Sequence, residues 1–291
     1  MAEVKVKEIQ TLNYERPAIQ KGYANQTLYV DLAASQISIK PVNEKMKEIF
    51  VGGKGFDLWF LWNAVKSSTR WSDPENALCI ASGPLGGTPI YPGSGKSIVT
   101  ALSPTTGSVM DSNVGGYFGP YLKFSGFDGL EIQGKTQAPT VILIDGISQQ
   151  IRILEVTGLP SESHEISELL THHFGQGKPR NISVVSTGPA AKHTLIGCLN
   201  FSWYDAKRSK TRLKQAGRGG MGTVFADKGL KAIVARWDTV TAATNNPVDE
   251  ATLKEVARLH SQEIVEQDPK QNQMSLVGTA HLVTIMNDYD L

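Results

Sequence analysis

Hydrophobic and polar positions follow the same order twice along the chain. Each copy begins with two short apolar strands joined by a turn, which is typical of a β-hairpin. A segment with helical periodicity follows, then an apolar strand ending in Gly-Pro, a second strand, and a Gly-Gly turn before a terminal strand. The first copy has these features at 28–42, 55–65, 77–84, 97–103 and 115–132, and the second copy at 142–156, 164–174, 182–189, 194–200 and 219–234.

The spacing between the copies indicates a duplication. It changes slowly, from 114 residues between Asp31 and Asp145 to 100 residues between Gly129 and Gly229. A gradual drift over features in one order favours an internal repeat over chance. We therefore predict an α+β fold of two related sheets. Two matching glycine turns suggest one ligand between them that is itself pseudo-symmetric or doubled.

The sequence changes character after Trp237. A polar linker is followed by Pro247, near the start of a segment with helical periodicity that continues through Ile264. The remaining ~50 residues are too few for a core of useful size, so we expect the front of a larger helical domain. The predicted organisation is an N-terminal extension at 1–21, one duplicated domain at 22–237 with halves at about 22–137 and 138–237, and a linker with the start of an incomplete helical domain at 238–291.

Composition narrows the class of protein. The chain has 291 residues, with 29 basic and 28 acidic side chains and a formal net charge of +1. This balance argues against a disordered chain and against binding to nucleic acid through bulk positive charge. The N-terminal residues lack the apolar stretch of a signal peptide, and the apolar segment at 56–65 is about half of a bilayer span. We therefore expect a cytoplasmic protein without membrane contact.

The cysteines and tryptophans suggest structural roles. Cys79 and Cys198 lie in apolar or small-residue segments without a neighbour at metal-ligand spacing, so we expect buried thiols. Two cysteines cannot make a complete iron–sulfur or zinc–cysteine site. Trp59 and Trp62, three residues apart on the first predicted helix, are expected in the core.

Two nucleotide-binding motifs are near matches. The run PGSGKS at 92–97 has Ile90 where a P-loop requires its first glycine. Residues 217–222 fit G-x-G-x-x-G, but a basic polar run precedes them where a dinucleotide fold needs an apolar strand. An ordinary ATP- or NAD-binding domain is therefore not expected.

The basic run before the second glycine turn has two interpretations. It contains Lys207, Arg208, Lys210, Arg212 and Lys214, and Arg218 follows inside the turn. Such a run is often a solvated loop. In a chain of nearly neutral charge, a site for the phosphates of a small cofactor is a better fit than a nucleic-acid track.

Several segments together resemble the N-terminal domain of the tungsten-dependent aldehyde ferredoxin oxidoreductases. They are VGGKGFDLWFL at 51–61, ASGPLGGTP at 81–89, SPTTG at 103–107, DSNVGGYFGPYLKFSGFDGLEIQGK at 111–135 and AGRGGMGTVFADKGLKAIV at 216–234. They occur in the order that the family has. The tail at 278–288 resembles the segment shortly before the iron–sulfur cysteines of that family.

The resemblance implies a domain of two intertwined halves that cradle a bis-pyranopterin cofactor carrying tungsten, or less commonly molybdenum. Each pterin carries a phosphate, and Mg²⁺ bridges the phosphates through oxygen ligands. Glycine turns would let backbone N–H groups approach the flat rings and the anionic oxygens.

The resemblance also assigns individual positions. Lys96 falls where the family typically has an arginine that contacts a cofactor phosphate, and it keeps the charge without the bidentate fork. The asparagine that supplies a backbone carbonyl to Mg²⁺ matches Asn113, and Gln215 matches the second carbonyl. The remaining cofactor-binding positions implied are Gly115, Gly116, Lys214, Ala216, Gly217, Arg218, Gly219 and Gly220.

The implied activity is the interconversion of aldehydes and carboxylic acids, with electrons passed to ferredoxin or an iron–sulfur subunit. Full members continue into helical domains that hold the cysteines of one [4Fe–4S] cluster and most of the substrate pocket. No catalytic residue can be named on this chain, so we expect a partner chain to supply these parts. Related members reduce aromatic-ring thioesters, and a non-catalytic scaffold or assembly subunit with the same fold is the alternative from another class.

Overall fold

The structure, a computed structural model, describes residues 4–238, 242–271 and 273–290. An N-terminal strand β1 (Lys5–Asn13) comes first. The first half then contains β2 (Gln26–Asp31), β3 (Gln36–Pro41), α1 (Glu44–Ile49), α2 (Lys54–Ala64), β4 (Leu78–Ala81), β5 (Ser97–Leu102), β6 (Val109–Val114), α3 (Phe118–Phe124) and β7 (Gly129–Gln133). The second half contains β8 (Thr140–Asp145), β9 (Gln150–Thr157), α4 (Ser163–Gly175), β10 (Ile182–Ser186), β11 (Leu199–Asp205), β12 (Lys210–Ala216), α5 (Met221–Asp227) and β13 (Leu230–Arg236).

The strands of residues 4–238 form two sheets with the same internal order. One has the order β3-β2-β7-β4-β5-β6, and the other has β9-β8-β13-β10-β11-β12 with β1 added beside β9. The parallel pairs also match, because β2 lies parallel to β7 and β8 lies parallel to β13. The α+β class and the duplication are confirmed. The elements of the two halves that were not predicted from the sequence are β6 and α3 in the first half, β12 and α5 in the second half, and the short helix α1 of the first half.

The N-terminal residues are part of the second sheet. Strand β1 pairs antiparallel with β9, from Lys5 opposite Thr157 to Asn13 opposite Gln150, with an irregularity between Glu8 and Gln10. The first half has no strand at the matching position among the described residues. Residues 5–13, predicted only as an extension, therefore form an edge strand.

The helices α3 and α5 interlock the two halves. Every residue of α3 is buried, and this helix of the first half packs on β10 and β13 of the second. In the reverse direction, α5 packs on β4 and β5. Phe118 meets Phe201 edge to face with ring centroids 5.5 Å apart, and the hydroxyl of Tyr121 donates to the carbonyl of Arg180. The largest hydrophobic cluster accordingly contains residues of both sheets.

The helix α2 covers its own sheet through only one face. Phe56 and Phe60, four residues apart, are buried with Leu61. Trp62 lies on the other face and is 83% exposed, so its predicted place in the core is wrong. Trp59 is half-buried against the same cluster.

Three further sequence predictions need correction. The strand expected at 194–200 begins later, at Leu199, and an irregular segment precedes it. Cys79 is buried as predicted, whereas Cys198 lies in that irregular segment and is exposed. The basic run, for which a solvated loop was the less favoured interpretation, forms the turn and second strand of the β11–β12 hairpin. Its charges alternate with Thr211 and Leu213, which face inward, and this period of two suits a strand.

Residues 90–92 and 249–291 form a separate compact unit. Its described helices are α6 (Glu250–Gln271), α7 (Met274–Val277) and α8 (His281–Asp288). Within this unit, the hydroxyl of Tyr91 lies 2.8 Å from Nδ1 of His260. Among the described residues of the whole chain, every helix is too short or too polar to cross a lipid bilayer.

Candidate functional site

Two edge strands, β6 and β12, bring the halves together at the glycine turns. Each strand ends its sheet, and each runs through a glycine turn into a buried helix, α3 or α5. The amide of Arg218 donates to Oγ of Ser112 at 3.0 Å, so the second turn touches the first edge strand. A Cβ built on Gly219 would lie 2.8 Å from Cβ of Met110. The two predicted glycine turns therefore share one region.

The Gly-Gly pairs do not occupy equivalent positions in these turns. Gly115 and Gly116 directly follow β6, whereas Gly219 and Gly220 directly precede α5. The second turn is one residue longer, and the residue that matches Gly115 is Gly217, the first after β12. The match of Gly115 and Gly116 with Gly219 and Gly220, made from the sequence, was therefore shifted along the chain, although the two turns themselves correspond.

The fold itself requires the glycines before α5. Gly219 and Gly220 have φ angles of +66° and +67°, in the left-handed region that favours glycine. A Cβ on Gly220 would also fall well inside van der Waals contact of the carbonyl oxygen of Leu195. These two positions are explained by backbone geometry alone.

Gly115 and Gly217 have no such explanation. Neither has a positive φ. A Cβ on Gly115 would have no described neighbour within 4 Å, and one on Gly217 would be in ordinary contact, 3.8 Å from Sγ of Cys198. A Cβ at Gly115 would therefore lie in open space, and a Cβ at Gly217 would fit without a clash. The missing side chains leave room for a group to approach the backbone in both halves.

A pocket of about 510 Å³ adjoins the first turn. It brings two of the predicted site residues together, Gly116 and Lys214, with Tyr117 and Trp203 as aromatic walls. Gly95, from the loop before β5, closes against the turn so tightly that a Cβ on it would lie 2.6 Å from the carbonyl oxygen of Gly116. This volume lies in the range of small-molecule and cofactor sites. Tyr117, Trp203 and Gly95 were not among the predicted site residues.

The region carries unbalanced positive charge. Lys96, Lys214 and Arg218 are exposed, and their side chains have no hydrogen-bond or ion-pair partner among the described residues. Ser97 pairs with Val114 at the end of the β5–β6 ladder, and Lys96 and Gly115 are the next residues along the chain from this pair. Uncompensated cations beside exposed backbone amides attract anionic groups such as phosphates.

The residues predicted to offer carbonyls to Mg²⁺ occupy matching positions. Asn113 and Gln215 are each the second-last residue of their edge strand, opposite Ile98 and Asn200. Edge strands leave backbone groups without a strand partner. The described residues hold no group of three or more His, Cys, Asp or Glu side chains suited to a metal. A magnesium ion here would depend on backbone carbonyls and on oxygens of a bound ligand.

A buried lysine supports the loop that forms part of the pocket wall. Lys123, on α3, donates its ammonium to the carbonyl of Gly83, in the loop that leads to the pocket-lining residues 87–89. Burial lowers the pKa of Lys123 to about 8, although the nearby Asp128 carboxylate opposes this shift. Lys123 was not among the predicted site residues. A lysine inside the apolar run YLKF was the available signal, but only packing shows that its head is buried.

Asp57, on α2, is completely buried against β5, the strand next to the edge strand β6. Its Oδ2 accepts a hydrogen bond from Thr100 at 3.0 Å, while no hydrogen bond to its Oδ1 is present in the described structure. Burial raises the pKa of this carboxyl well above its usual range. Thr100 pairs with Asp111, which forms an ion pair with Lys54 at 2.6 Å. This acid therefore lies under the same strand ladder as the predicted site.

Comparison with known proteins supplies independent information on this region. Residues 27–237 match the family model described as the N-terminal domain of aldehyde ferredoxin oxidoreductase. A tungsten-containing aldehyde ferredoxin oxidoreductase of Pyrococcus horikoshii is 32% identical over 272 residues, which cover 93% of this chain and 42% of that protein. The chain thus spans about two fifths of the length of this relative.

Two further similar proteins have other descriptions. A Pyrococcus furiosus protein described as the WOR-like subunit of an aliphatic sulfonate oxidoreductase is 31% identical over 219 residues, covering 74% of this chain and 34% of that one. Among solved structures, the active-site complex BamBC of benzoyl coenzyme A reductase with 1,5-dienoyl-CoA matches with a TM-score of 0.66 and 28% identity. That match covers 75% of this chain and 31% of the other.

Proposed function

Because the chain belongs to the aldehyde ferredoxin oxidoreductase family, we propose that it is the cofactor-binding part of a tungsten bis-pyranopterin oxidoreductase. When bound, the tungsten centre supplies the two-electron chemistry that interconverts an aldehyde and a carboxylic acid. Molybdenum is the alternative metal. The chain itself binds and orients the cofactor, and we place the protein in the cytoplasm.

One observation carries this proposal: Gly115 and Gly217, in matching positions of the two halves, lack side chains that the fold would tolerate. A repeated opening beside the backbone suits a cofactor that is itself doubled, with one flat pterin against each half. A scaffold without a cofactor would have no need for glycine at both positions.

The surrounding residues fit the charged parts of such a cofactor. Lys96 and Arg218 would bind its phosphates, since both are exposed cations without a described side-chain partner. Lys214 extends this positive surface into the pocket. Asn113 and Gln215 would offer backbone carbonyls to a bridging Mg²⁺, which prefers oxygen ligands and retains several waters.

Electron transfer would require residues outside this chain. The sequence contains two cysteines, one of them buried, and these cannot bind a [4Fe–4S] cluster. We propose that a second chain with the helical domains supplies the cluster and the substrate pocket. Electrons would then pass to ferredoxin or to an iron–sulfur subunit.

The first test is elemental analysis for tungsten, molybdenum and iron on native protein purified without oxygen, with intact-mass identification of co-purifying chains. We expect tungsten and iron together with a cysteine-bearing partner. An assembled complex without tungsten, molybdenum or pterin would contradict the proposal and favour the scaffold or assembly subunit.

An aromatic acyl-CoA reductase is a second candidate. It is supported by the structural similarity to the BamBC complex, whose bound ligand is a dienoyl thioester. The assembled protein should be assayed with aliphatic and aromatic aldehydes and, separately, with benzoyl-CoA and a low-potential reductant. Turnover of the thioester without aldehyde oxidation would favour this candidate over the aldehyde oxidoreductase.

A further inference from the structure

A pocket of about 380 Å³ lies between the first turn of α4 and the β11–β12 hairpin. His164 lines it from α4, and Arg208, Lys210 and Arg212 line it from the hairpin. The three cations belong to the basic run that the sequence favours as a phosphate site, but none of these four residues is among the positions that the family resemblance assigns to the pterin cofactor. Four nitrogen-bearing side chains therefore surround one cavity whose role the proposed function leaves open.

The positive charge of this pocket exceeds the negative charge beside it. Arg208 and Arg212 share one carboxylate, that of Asp205, at 2.9 and 3.5 Å. Asp205 also accepts the amide of Lys207 at 3.0 Å, so it is held in the turn of the hairpin. Lys210 has no ion-pair partner among the described residues. Glu168 of α4 also borders the pocket, because its carboxylate accepts the amide of the lining residue Thr211 at 2.7 Å. Three cationic side chains therefore face two carboxylates, and the surplus is one positive charge.

The duplication provides an internal comparison. Counted back from the last residue of each edge strand, the positions that match Lys210 and Arg212 are Ser108 and Met110. The same fold is therefore built in the first half with neutral side chains at these places. The strand pairing does not require the cations, and a ligand specific to the second half is a sufficient reason for them.

We infer that this pocket binds a small molecule through a phosphate or diphosphate group. Two guanidinium groups provide several N–H donors in the planar arrangement that matches phosphate oxygens. Helix α4, of 13 residues, begins at Ser163, and the side chain of Glu162 makes no cap hydrogen bond there. The positive end of the helix dipole adds to the attraction for an anion, while the carboxylates of Glu162 and Glu165 at this helix end oppose it. The inference does not depend on the proposed function.

The pocket is distinct from the glycine turns but close to them along one strand. Arg212 and Lys214 are two residues apart on β12, which places their Cα atoms roughly 7 Å apart. Arg212 lines the phosphate pocket, whereas Lys214 and Trp203 line the pocket at the first turn. A test must therefore separate binding at the two places.

The experiment is calorimetric titration of the intact chain, with any co-purifying chains, using inorganic pyrophosphate and then inorganic phosphate at low salt. The test variant is Lys210→Gln. Its matched control is Lys207→Gln, which removes the same charge from the same hairpin outside the pocket. Lys96→Gln reports binding at the glycine turns, and His164→Asn tests the α4 side of the pocket.

We expect pyrophosphate to bind more tightly than phosphate, and Lys210→Gln to weaken it about 5-fold through loss of one charge-assisted hydrogen bond, with little change in Lys207→Gln. His164→Asn should weaken binding in the same direction. Thermal unfolding should be unchanged, because Lys207, Lys210 and His164 are all exposed.

Three results would overturn the inference. Equal weakening in Lys207→Gln and Lys210→Gln would indicate diffuse surface charge only. Loss of binding in Lys96→Gln alone would place the anion at the glycine turns. Absence of pyrophosphate binding in the unaltered chain would leave the cations as edge-strand charges that prevent strand pairing with other molecules.

Discussion

Single glycines in this chain have two separate physical roles. Gly219 and Gly220 serve the backbone, since their left-handed φ angles and close neighbours exclude a side chain. Gly115 and Gly217 leave space beside the backbone instead. Residue identity alone cannot distinguish these roles, because they differ in the backbone φ angle and in the atoms that would face a side chain at that position.

Substitution with alanine should separate the two roles. Gly217→Ala should change the free energy of unfolding by no more than about 0.5 kcal/mol, yet lower the tungsten content of the assembled protein. Gly220→Ala should destabilise the fold by more than about 1 kcal/mol, because alanine is strained at this φ and meets a carbonyl. Denaturant unfolding and metal analysis on both variants provide the measurement. Normal tungsten in a well-folded Gly217→Ala would contradict the cofactor assignment.

The buried lysines make stability depend on pH. Burial lowers the pKa of Lys123 to about 8 and that of Lys228 to about 8, from an ordinary value of 10.5. Between these values the unfolded chain binds more protons than the folded chain, so stability rises as pH increases. We expect urea unfolding to show greater stability at pH 9.5 than at pH 7.5, with a smaller rise in Lys123→Met. The exposed Lys178→Met is the control, and an unchanged rise in Lys123→Met would contradict the assignment.

At the scale of elements, each sheet is stabilised by a helix from the opposite half. The short helix α3 is buried at every residue, although seven residues would form only a marginal helix in water. Its stability therefore comes from packing on β10 and β13. The short helix α5 likewise gains stability from packing on β4 and β5. Because both helices are short and depend on this packing, helical periodicity in the sequence did not predict them.

Truncation of a contact between the halves should affect the whole fold. Phe118→Ala should cost about 3–5 kcal/mol of unfolding free energy, because it removes a fully buried ring that packs on Phe201. Trp62→Ser should stay within about 0.5 kcal/mol of the unaltered chain, since Trp62 is exposed. Equilibrium denaturation compares the two. A small effect of Phe118→Ala would show that the helix does not join the halves.

At the scale of the molecule, the halves are topological copies that cannot be separated without exposing core residues. The largest hydrophobic cluster includes Leu28 and Leu130 from one sheet and Ile142 and Ile233 from the other. Part of the apolar surface of each sheet would be exposed to solvent if the other half did not supply α3 or α5.

Fragments covering 22–137 and 138–237 should therefore remain unfolded or aggregate when produced separately. Produced together, they should associate, because the apolar faces that each exposes are complementary. Circular dichroism and size-exclusion chromatography of the separate and mixed fragments would measure this. A separately folded, monomeric half would show that the interlocked helices are dispensable.

The sequence by itself determined the duplicated order of elements, the α+β class and the family resemblance. Strand alternation, helical periodicity and glycine placement are local properties, so they can be read along the chain. The family match confirms the resemblance, while the roles of Lys96, Asn113, Gln215 and Arg218 stay predictions.

Only the tertiary structure decided which helix covers which sheet and which glycines are free of backbone strain. It likewise placed the basic run in the turn and second strand of the β11–β12 hairpin. It also decided that Trp62 and Cys198 are exposed. These features depend on contacts between residues far apart in sequence, and local propensity carries no information about such contacts. The two edge strands meet only after both sheets have formed, so a site built between them is a property of the assembled fold.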